Sequence, residues 1–380
     1  MIAIKYGSAT SFKSEAKSFV SPESTDAVTV GLPSKSIVRF KSDFMFILHQ
    51  KRCKFKLFSQ CITIKLHHRM NANLPLITIL GPTATGKTSL ATHLAAIIGA
   101  EIISADSRQV YRRMDIGTGK DLSDYQINGK QIPYHLIDIV EPGTKYNLFE
   151  YQQDFLKAFA DIQSRSKQAI LCGGSGLYIE SVLNGYKMAS VPVNEQLREE
   201  LKDYSAEQLE QRLKSVKKLH NNADFDTRKR TIRAIEIAEY QKTNAAAIPD
   251  FPKIDSIIIG VRMERAAVCQ SIYERLKQRL RDGMIDEIQA LLDSGIAPED
   301  LIYYGLEYKF VTQYLQGKFS YNYMVEHLNI AIHQFAKRQM TWFRRMERNG
   351  FKINWIDGLL PLEEKVNLAI DFIGKAHVTD

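Results

Sequence analysis

The chain is poor in cysteine. Only four of its 380 residues are Cys. Cys53, Cys61, Cys172 and Cys269 form no C-x-x-C pair, so neither a disulfide frame nor a thiolate zinc site is indicated, and a reducing, cytoplasmic setting is expected. Long apolar runs are also missing. None reaches the roughly 20 residues of a membrane-spanning helix, so no membrane partner is expected. The third shortage is charge of one sign. The formal charge is +8, but residues 1 to 69 hold 12 Lys and Arg against 4 Asp and Glu, leaving residues 70 to 380 with 39 against 39. A neutral body does not attract nucleic acid in bulk, and any such binding must come from local clusters.

What is present is an ordinary globular composition, 44% apolar and 25% charged, enough for one large domain or two smaller ones. Residues 1 to 69 differ from the rest, with ten serines, many basic residues and one brief apolar patch at Phe44 to Leu48. The patch is too short and too deep for a secretory signal. The segment reads as a disordered leader without chemistry, either a transit peptide or a mis-assigned start ahead of Met70.

Leu76-Ile77-Thr78-Ile79-Leu80 is apolar or β-branched throughout and predicts a buried strand. It runs into Gly81-Pro82-Thr83-Ala84-Thr85-Gly86-Lys87-Thr88, which fits G-x-x-x-x-G-K-[ST] at every fixed position. Gly81 and Gly86 let the backbone turn so that successive N–H groups point inward. Lys87 adds a point charge, Thr88 a hydroxyl for Mg²⁺, and the helix opening at Thr88 its positive dipole end. A nucleoside triphosphate is the default occupant, but any diphosphate satisfies the same donors.

Strand and helix then alternate. Further strands are expected over Glu101 to Asp106, Pro133 to Ile139, Gln168 to Gly174 and Ser256 to Val261. This pattern predicts an α/β fold, a parallel sheet carrying the phosphate loop and flanked by helices. Ligands in such sheets sit at the carboxyl ends of the strands, which puts Asp106 and Gly173-Gly174-Ser175-Gly176 in the crevice of the phosphate loop. Asp138 ends a run broken by His135 and reads as structural. Residues 186 to 249 interrupt the alternation as an all-helical insertion, with Leu197, Leu201, Leu209 and Leu213 at helical spacing. The core is therefore assigned to residues 70 to 185 and 250 to 360, with the chain helical after Val261. Basic residues cluster at Lys217-Lys218, at Asp226-Thr227-Arg228-Lys229-Arg230-Thr231-Ile232-Arg233, and on the last long helix at Lys337, Arg338, Arg344, Arg345 and Arg348. Trp342 and Phe343 lie among these last five, where packing into the core is the expectation and the arginines face outward.

Residues 76 to about 347 resemble the tRNA dimethylallyltransferases of bacterial type. The resemblance is carried by the phosphate loop; Asp106-Ser107-Arg108-Gln109-Val110-Tyr111 with Met114-Asp115-Ile116-Gly117-Thr118-Gly119-Lys120; Gly173-Gly174-Ser175-Gly176-Leu177-Tyr178; Arg230 with Arg233-Ala234-Ile235-Glu236; and Ala336-Lys337-Arg338-Gln339 with Thr341-Trp342-Phe343-Arg344. It implies that residues 81 to 88 hold dimethylallyl diphosphate and that the acceptor is the exocyclic amine of the adenosine 3′ of the anticodon. It makes Asp106 the general base, while Lys87, Thr88 with Mg²⁺ and one of Arg230 or Arg233 hold the leaving charge. Asp106, Ser107, Arg108, Gln109, Ser175, Lys229 to Arg233, Lys337 and Arg338 become tRNA contacts, Gln109 reading the adenine edge, with the insertion gripping the anticodon stem. A monomer is expected. Ser175 stands where most relatives have threonine, and Gly305-Leu306-Glu307-Tyr308-Lys309 alters a Gly-Tyr-Lys-Glu segment. Two other readings compete, a small-molecule kinase or prenyltransferase acting on free AMP, and an ATPase-type nucleic-acid binder. The insertion and basic last helix weigh against the first, and the lack of a clean Walker B acid against the second.

Overall fold

The computed structural model describes residues 74–188, 190–216, 227–244 and 251–376, all within the unit Ser59–Asp380. The leader read over residues 1 to 69, Lys217, Lys218 and Asp226 lie outside the described residues.

Leu76–Leu80 (β1), Glu101–Ser104 (β2) and Ala169–Gly173 (β6) are buried along their whole length, as strands covered on both faces must be. With Tyr134–His135 (β5), Ser256–Arg262 (β7) and Ile353–Asp357 (β8) they form a six-stranded sheet in the order β5-β2-β6-β1-β7-β8, every pair parallel. A separate hairpin pairs Gln126–Ile127 (β3) with Lys130–Gln131 (β4). One face is covered by Lys87–Ile98 (α1) and Leu362–Ala376 (α12), the other by Leu148–Ser164 (α2), Gly176–Leu183 (α3) and Phe343. In register, Leu80 stands beside Gly173, and Ser104 beside Cys172. The carboxyl ends of β1, β6 and β2 are therefore neighbours, and the segments leaving them share one crevice.

Two expectations need correction. The chain does not stay helical after Val261, because β8 adds a sixth strand beside β7. The strand expected from Pro133 to Ile139 shrinks to Tyr134–His135, since Leu136 and Asp138 turn to φ of +62° and +56°. The turn brings Asp138 to the ammonium of Lys120, which also donates to Asp115 Oδ1 and the Tyr111 carbonyl, each at 2.6 Å. Lys120 is 1% exposed, and this set of acceptors compensates a charge withdrawn from water.

The inserted helices Glu195–Glu200 (α4), Ala206–Val216 (α5) and Arg228–Thr243 (α6) enclose their own apolar cluster of Leu197, Leu201, Leu209, Leu213, Ala234 and Ile235. At its edge the fully buried side chain of Glu236 accepts from Arg198 Nε at 2.7 Å, Arg233 Nη1 at 2.8 Å and the Asn194 N–H at 3.2 Å. Burial alone pushes this carboxyl up, but the two guanidinium hydrogen bonds outweigh it and hold the acid below its usual value. Its stabilising effect is therefore present above the ordinary carboxylate range and is lost as pH falls through the lowered folded value. Glu236→Ala leaves two guanidiniums facing each other. Because both are 37% exposed, the expected loss is about 3 kcal/mol, the low end for a broken buried pair. Limited proteolysis should cut within the insertion first. Unchanged protection there would refute the assignment.

The rest is a helical layer of Arg265–Arg281 (α7), Met284–Asp293 (α8), Pro298–Tyr303 (α9), Leu306–Leu315 (α10) and the 28-residue Tyr321–Arg348 (α11). It packs on Val110, Tyr111 and Met114, so the segment after β2 is held between sheet and helices.

Candidate active site

The loop after β1 has the conformation its sequence requires. A Cβ on Gly81 would stand 2.4 Å from the Val261 carbonyl oxygen, so only glycine permits this approach to the end of β7. Ala84 and Gly86 adopt left-handed φ of +62° and +78°, and α1 begins at Lys87, one residue before the expected start. Thr85 Oγ1 donates to the Pro82 carbonyl at 2.9 Å, and Lys87 Nζ to the same oxygen at 3.1 Å. The lysine head is thus stowed on its own loop. Burial lowers its pKa, and Arg275 and Arg279 lower it further, while Asp106 acts the other way. Cys172 beneath it is pushed up to about 12 by burial and is a thiol, not a thiolate.

Gln339 of α11 joins the two glycine-rich loops. Its Oε1 accepts from the Thr83 N–H and its Nε2 donates to the Gly174 carbonyl, both at 2.9 Å. Replacing it with Leu orphans both groups, at an expected cost of about 1–3 kcal/mol. Diphosphate affinity should fall several-fold while tRNA affinity holds, measured by calorimetry and filter binding. Equal losses in both would show that Gln339 only supports the fold.

Asp106 follows β2, half-exposed, with Oδ1 accepting the Arg108 N–H at 2.9 Å. The side chain is not turned into the interior. Between it and the phosphate loop stand the glycines at the end of β6. A Cβ on Gly173 would meet the Ala105 oxygen at 2.2 Å, and one on Gly174 would lie 3.3 Å from the Gly81 oxygen and 3.5 Å from Lys87 Cε. Ser175 Oγ accepts the Ser107 N–H at 3.1 Å, fastening the two loops. Gln109 is engaged at both ends: Oε1 accepts from Ser104 Oγ and Nε2 donates to the Gly119 carbonyl, each at 3.0 Å. It braces the segment after β2 instead of standing free to pair with a base. Arg108 reaches the turn after α9, its guanidinium carbon 5.5 Å from the ring of Tyr303, which is 52% exposed.

The sequence reading placed a diphosphate cation on α6, at Arg230 or Arg233, and in this structure Arg233 is engaged within the insertion. Arg233 donates to Glu236 and to the carbonyls of Val191 at 2.7 Å and Pro192 at 3.3 Å, securing the chain where it enters the insertion. Arg228 holds the Leu201, Lys202 and Tyr204 carbonyls after α4. Thr231 is buried and Ile232, half-buried, packs on the insertion's apolar cluster, whereas Lys229 and Arg230 are exposed. On α11, Lys337, Arg338 and Arg344 are exposed, Phe343 is in the core, and Trp342 lies against Gly176 with the Arg345 guanidinium carbon 3.9 Å from its ring. The cations acting on Lys87 are Arg275 and Arg279, four apart on α7, which the sequence reading passed over.

Among the described residues no group of three or more His, Cys, Asp or Glu can hold a metal ion, and no helix is long and apolar enough to cross a membrane. The Thr88 hydroxyl, half-exposed at the head of α1, suits a magnesium ion that draws most of its ligands from phosphate and water.

A family model described as IPP transferase matches residues 109–346. tRNA dimethylallyltransferase 2 of Phocaeicola vulgatus is 60% identical over 298 residues, 78% of this chain and 97% of that protein. tRNA dimethylallyltransferase 1 of Parabacteroides distasonis is 60% identical over 291 residues, 77% of this chain and 95% of that protein. Among solved structures, the tRNA delta(2)-isopentenylpyrophosphate transferase of Staphylococcus epidermidis is 31% identical with a TM-score of 0.56, covering 79% of this chain and 99% of that one. A eukaryotic dimethylallyltransferase acting on tRNA, 20% identical over 79% of each chain with a TM-score of 0.64, shares the fold. Relatives this similar, matched over nearly their whole length, and a family model spanning more than half of the sequence place the chain in the IPP transferase family, among the tRNA dimethylallyltransferases.

Proposed function

We propose that the protein transfers a dimethylallyl group from dimethylallyl diphosphate to the N6 amine of the adenosine 3′ of the anticodon, position 37, in tRNA. The observation that carries this is the half-exposed Asp106 carboxylate, one strand across from the phosphate loop, with only the narrow Gly173-Gly174 turn between them. Two strand spacings are about 10 Å, the room that a diphosphate, its five-carbon chain and an adenine edge share.

The loop N–H groups from Ala84 to Thr88 and the Lys87 ammonium receive the diphosphate, in an orientation set by Gln339 and the left-handed Ala84. Thr88 is the residue to hold Mg²⁺, which when bound neutralises part of the charge on the leaving group. The bond from the allylic carbon to the diphosphate oxygen breaks and its electron pair leaves with diphosphate. The N6 lone pair forms the new N–C bond, and the N6 proton passes to Asp106. An exocyclic adenine amine is a weak nucleophile, its lone pair being delocalised into the ring, so transfer of that proton in the transition state is where a positioned carboxylate acts. The adenosine must leave its stack to arrive there. Arg108 with Tyr303 offers a cation and a ring face at the mouth, and Lys229, Arg230, Lys337 and Arg338 are exposed for RNA phosphates.

The test offers purified protein labelled dimethylallyl diphosphate with either tRNA or AMP, and ATP as a control donor. Label on the anticodon-loop adenosine is expected. Label on AMP alone, or phosphate transfer from ATP, would overturn the reading.

A further inference from the structure

Between β2 and Lys120 the chain forms no helix or strand, so its backbone donors need partners from elsewhere. Three consecutive ones find the same carboxylate. Glu287, in the first turn of α8, accepts the N–H groups of Asp115 and Ile116 on Oε2 at 2.8 and 2.7 Å, and that of Gly117 on Oε1 at 3.0 Å. A run of convergent N–H groups makes an anion site, and here the anion is one of the protein's own side chains. The Tyr308 hydroxyl of α10 donates to Oε1 at 2.7 Å and completes the set. A Cβ on Gly117 would stand 2.7 Å from the Tyr308 ring, so only glycine lets the segment come this close. Glu287 is itself fixed, because Met284, Ile288 and Leu291 of the same helix are buried in the cluster that packs on Val110, Tyr111 and Met114.

The anchored segment leads back to Asp106. Gly119 donates its N–H to the Ile116 carbonyl at 3.1 Å, and its own carbonyl accepts Gln109 Nε2 at 3.0 Å. The other end of Gln109 accepts from the Ser104 hydroxyl at 3.0 Å. A hydroxyl has one proton, so directing it at Gln109 turns a lone pair toward the Asp106 N–H, 3.3 Å away. Hydrogen bonds thus run without a break from α8 to the carboxylate that takes the N6 proton. A base acts only within hydrogen-bond reach of that proton, and a misplacement of about 1 Å can cost about 10²-fold in rate.

We propose that Glu287 is a positioning residue for prenyl transfer, holding residues 115 to 117 so that Gly119, Gln109 and Ser104 keep Asp106 at its working position. This role depends on Asp106 acting as the base of the proposed function, but two measurements keep the ideas apart. Amide exchange of the full chain is followed by mass spectrometry, without tRNA or donor. Glu287→Gln keeps the shape of the side chain but turns one acceptor into a donor, and should speed exchange over residues 105 to 110 about tenfold. In single-turnover prenyl transfer the same variant should be about tenfold slower, with tRNA affinity within about twofold. Added to Asp106→Asn it should slow the reaction by less than about twofold, because a group that cannot take a proton gains nothing from being held in place. A residue that only supports the fold slows both backgrounds by the same factor. Should Glu287→Gln fail to fold, Gln109→Leu cuts the same chain without touching α8 and decides by the same readouts. Unchanged exchange over residues 105 to 110, an unchanged rate, or equal factors in the two backgrounds overturns the proposal even where tRNA is prenylated. Should AMP prove to be the acceptor, the proposed function falls, and exchange with the two-background comparison on AMP still decides the part played by Glu287.

Discussion

Asp106→Asn should lower the single-turnover rate of prenyl transfer by a factor of about 10² to 10⁴, the usual worth of a positioned general base, while tRNA affinity stays within a few-fold. Asparagine is the informative substitution because its Oδ1 can keep the Arg108 N–H hydrogen bond and so preserve the turn after β2. What it loses is the ability to take a proton. Asp106→Ala removes both and adds about 1 kcal/mol of local destabilisation, so a comparison of the two separates chemistry from loop geometry. Diphosphate binding should change little in either, since β6 stands between Asp106 and the phosphate loop. A rate within threefold of the unaltered protein in Asp106→Asn would take the carboxylate out of the mechanism.

The parts of this site that were legible in the sequence are those whose chemistry is local. The phosphate loop is written in eight consecutive residues because the turn, the close approach at Gly81 and the lysine all belong to one backbone segment. Asp106 needed one more step, the rule that parallel strands present ligands at their carboxyl ends, and strand alternation supplied it. Arg275 and Arg279 were not legible. Two arginines four apart on an amphipathic helix read as a solvated face, and their burial is decided by Gly119 and the crown of the phosphate loop, both distant in sequence. Arg233 shows the opposite case. It sits in a basic run, but Glu236 three residues on and the Val191 carbonyl before the insertion engage its Nη1 and Nη2. The strand β8 was hidden by its length, five residues at the sheet edge after a 28-residue helix, where hydrophobic periodicity has too few terms to declare itself.

Lys87→Ala should reduce kcat/KM for dimethylallyl diphosphate by about 10² to 10³, the effect of removing one charged contact at which leaving-group charge develops. Both KM and kcat should suffer, because the ammonium meets the diphosphate in the ground state and meets more charge as the allylic bond opens. The pH dependence gives a second handle. Burial lowers the Lys87 pKa from its ordinary value of 10.5. In the free protein the charged form is thus disfavoured relative to the unfolded chain, so stability is penalised at low pH and recovers as pH rises through the lowered value. Pyrophosphate reverses the balance by stabilising the ammonium, and its affinity should fall as pH climbs through that same value, sooner than for an exposed lysine. Pyrophosphate titrates too, so the quantity to measure is the difference between the profiles of the unaltered protein and Lys87→Ala, in which the lysine contribution is absent. Parallel profiles would mean that Lys87 stays on the Pro82 carbonyl and takes no part in holding the leaving group, and the burden would pass to the loop amides.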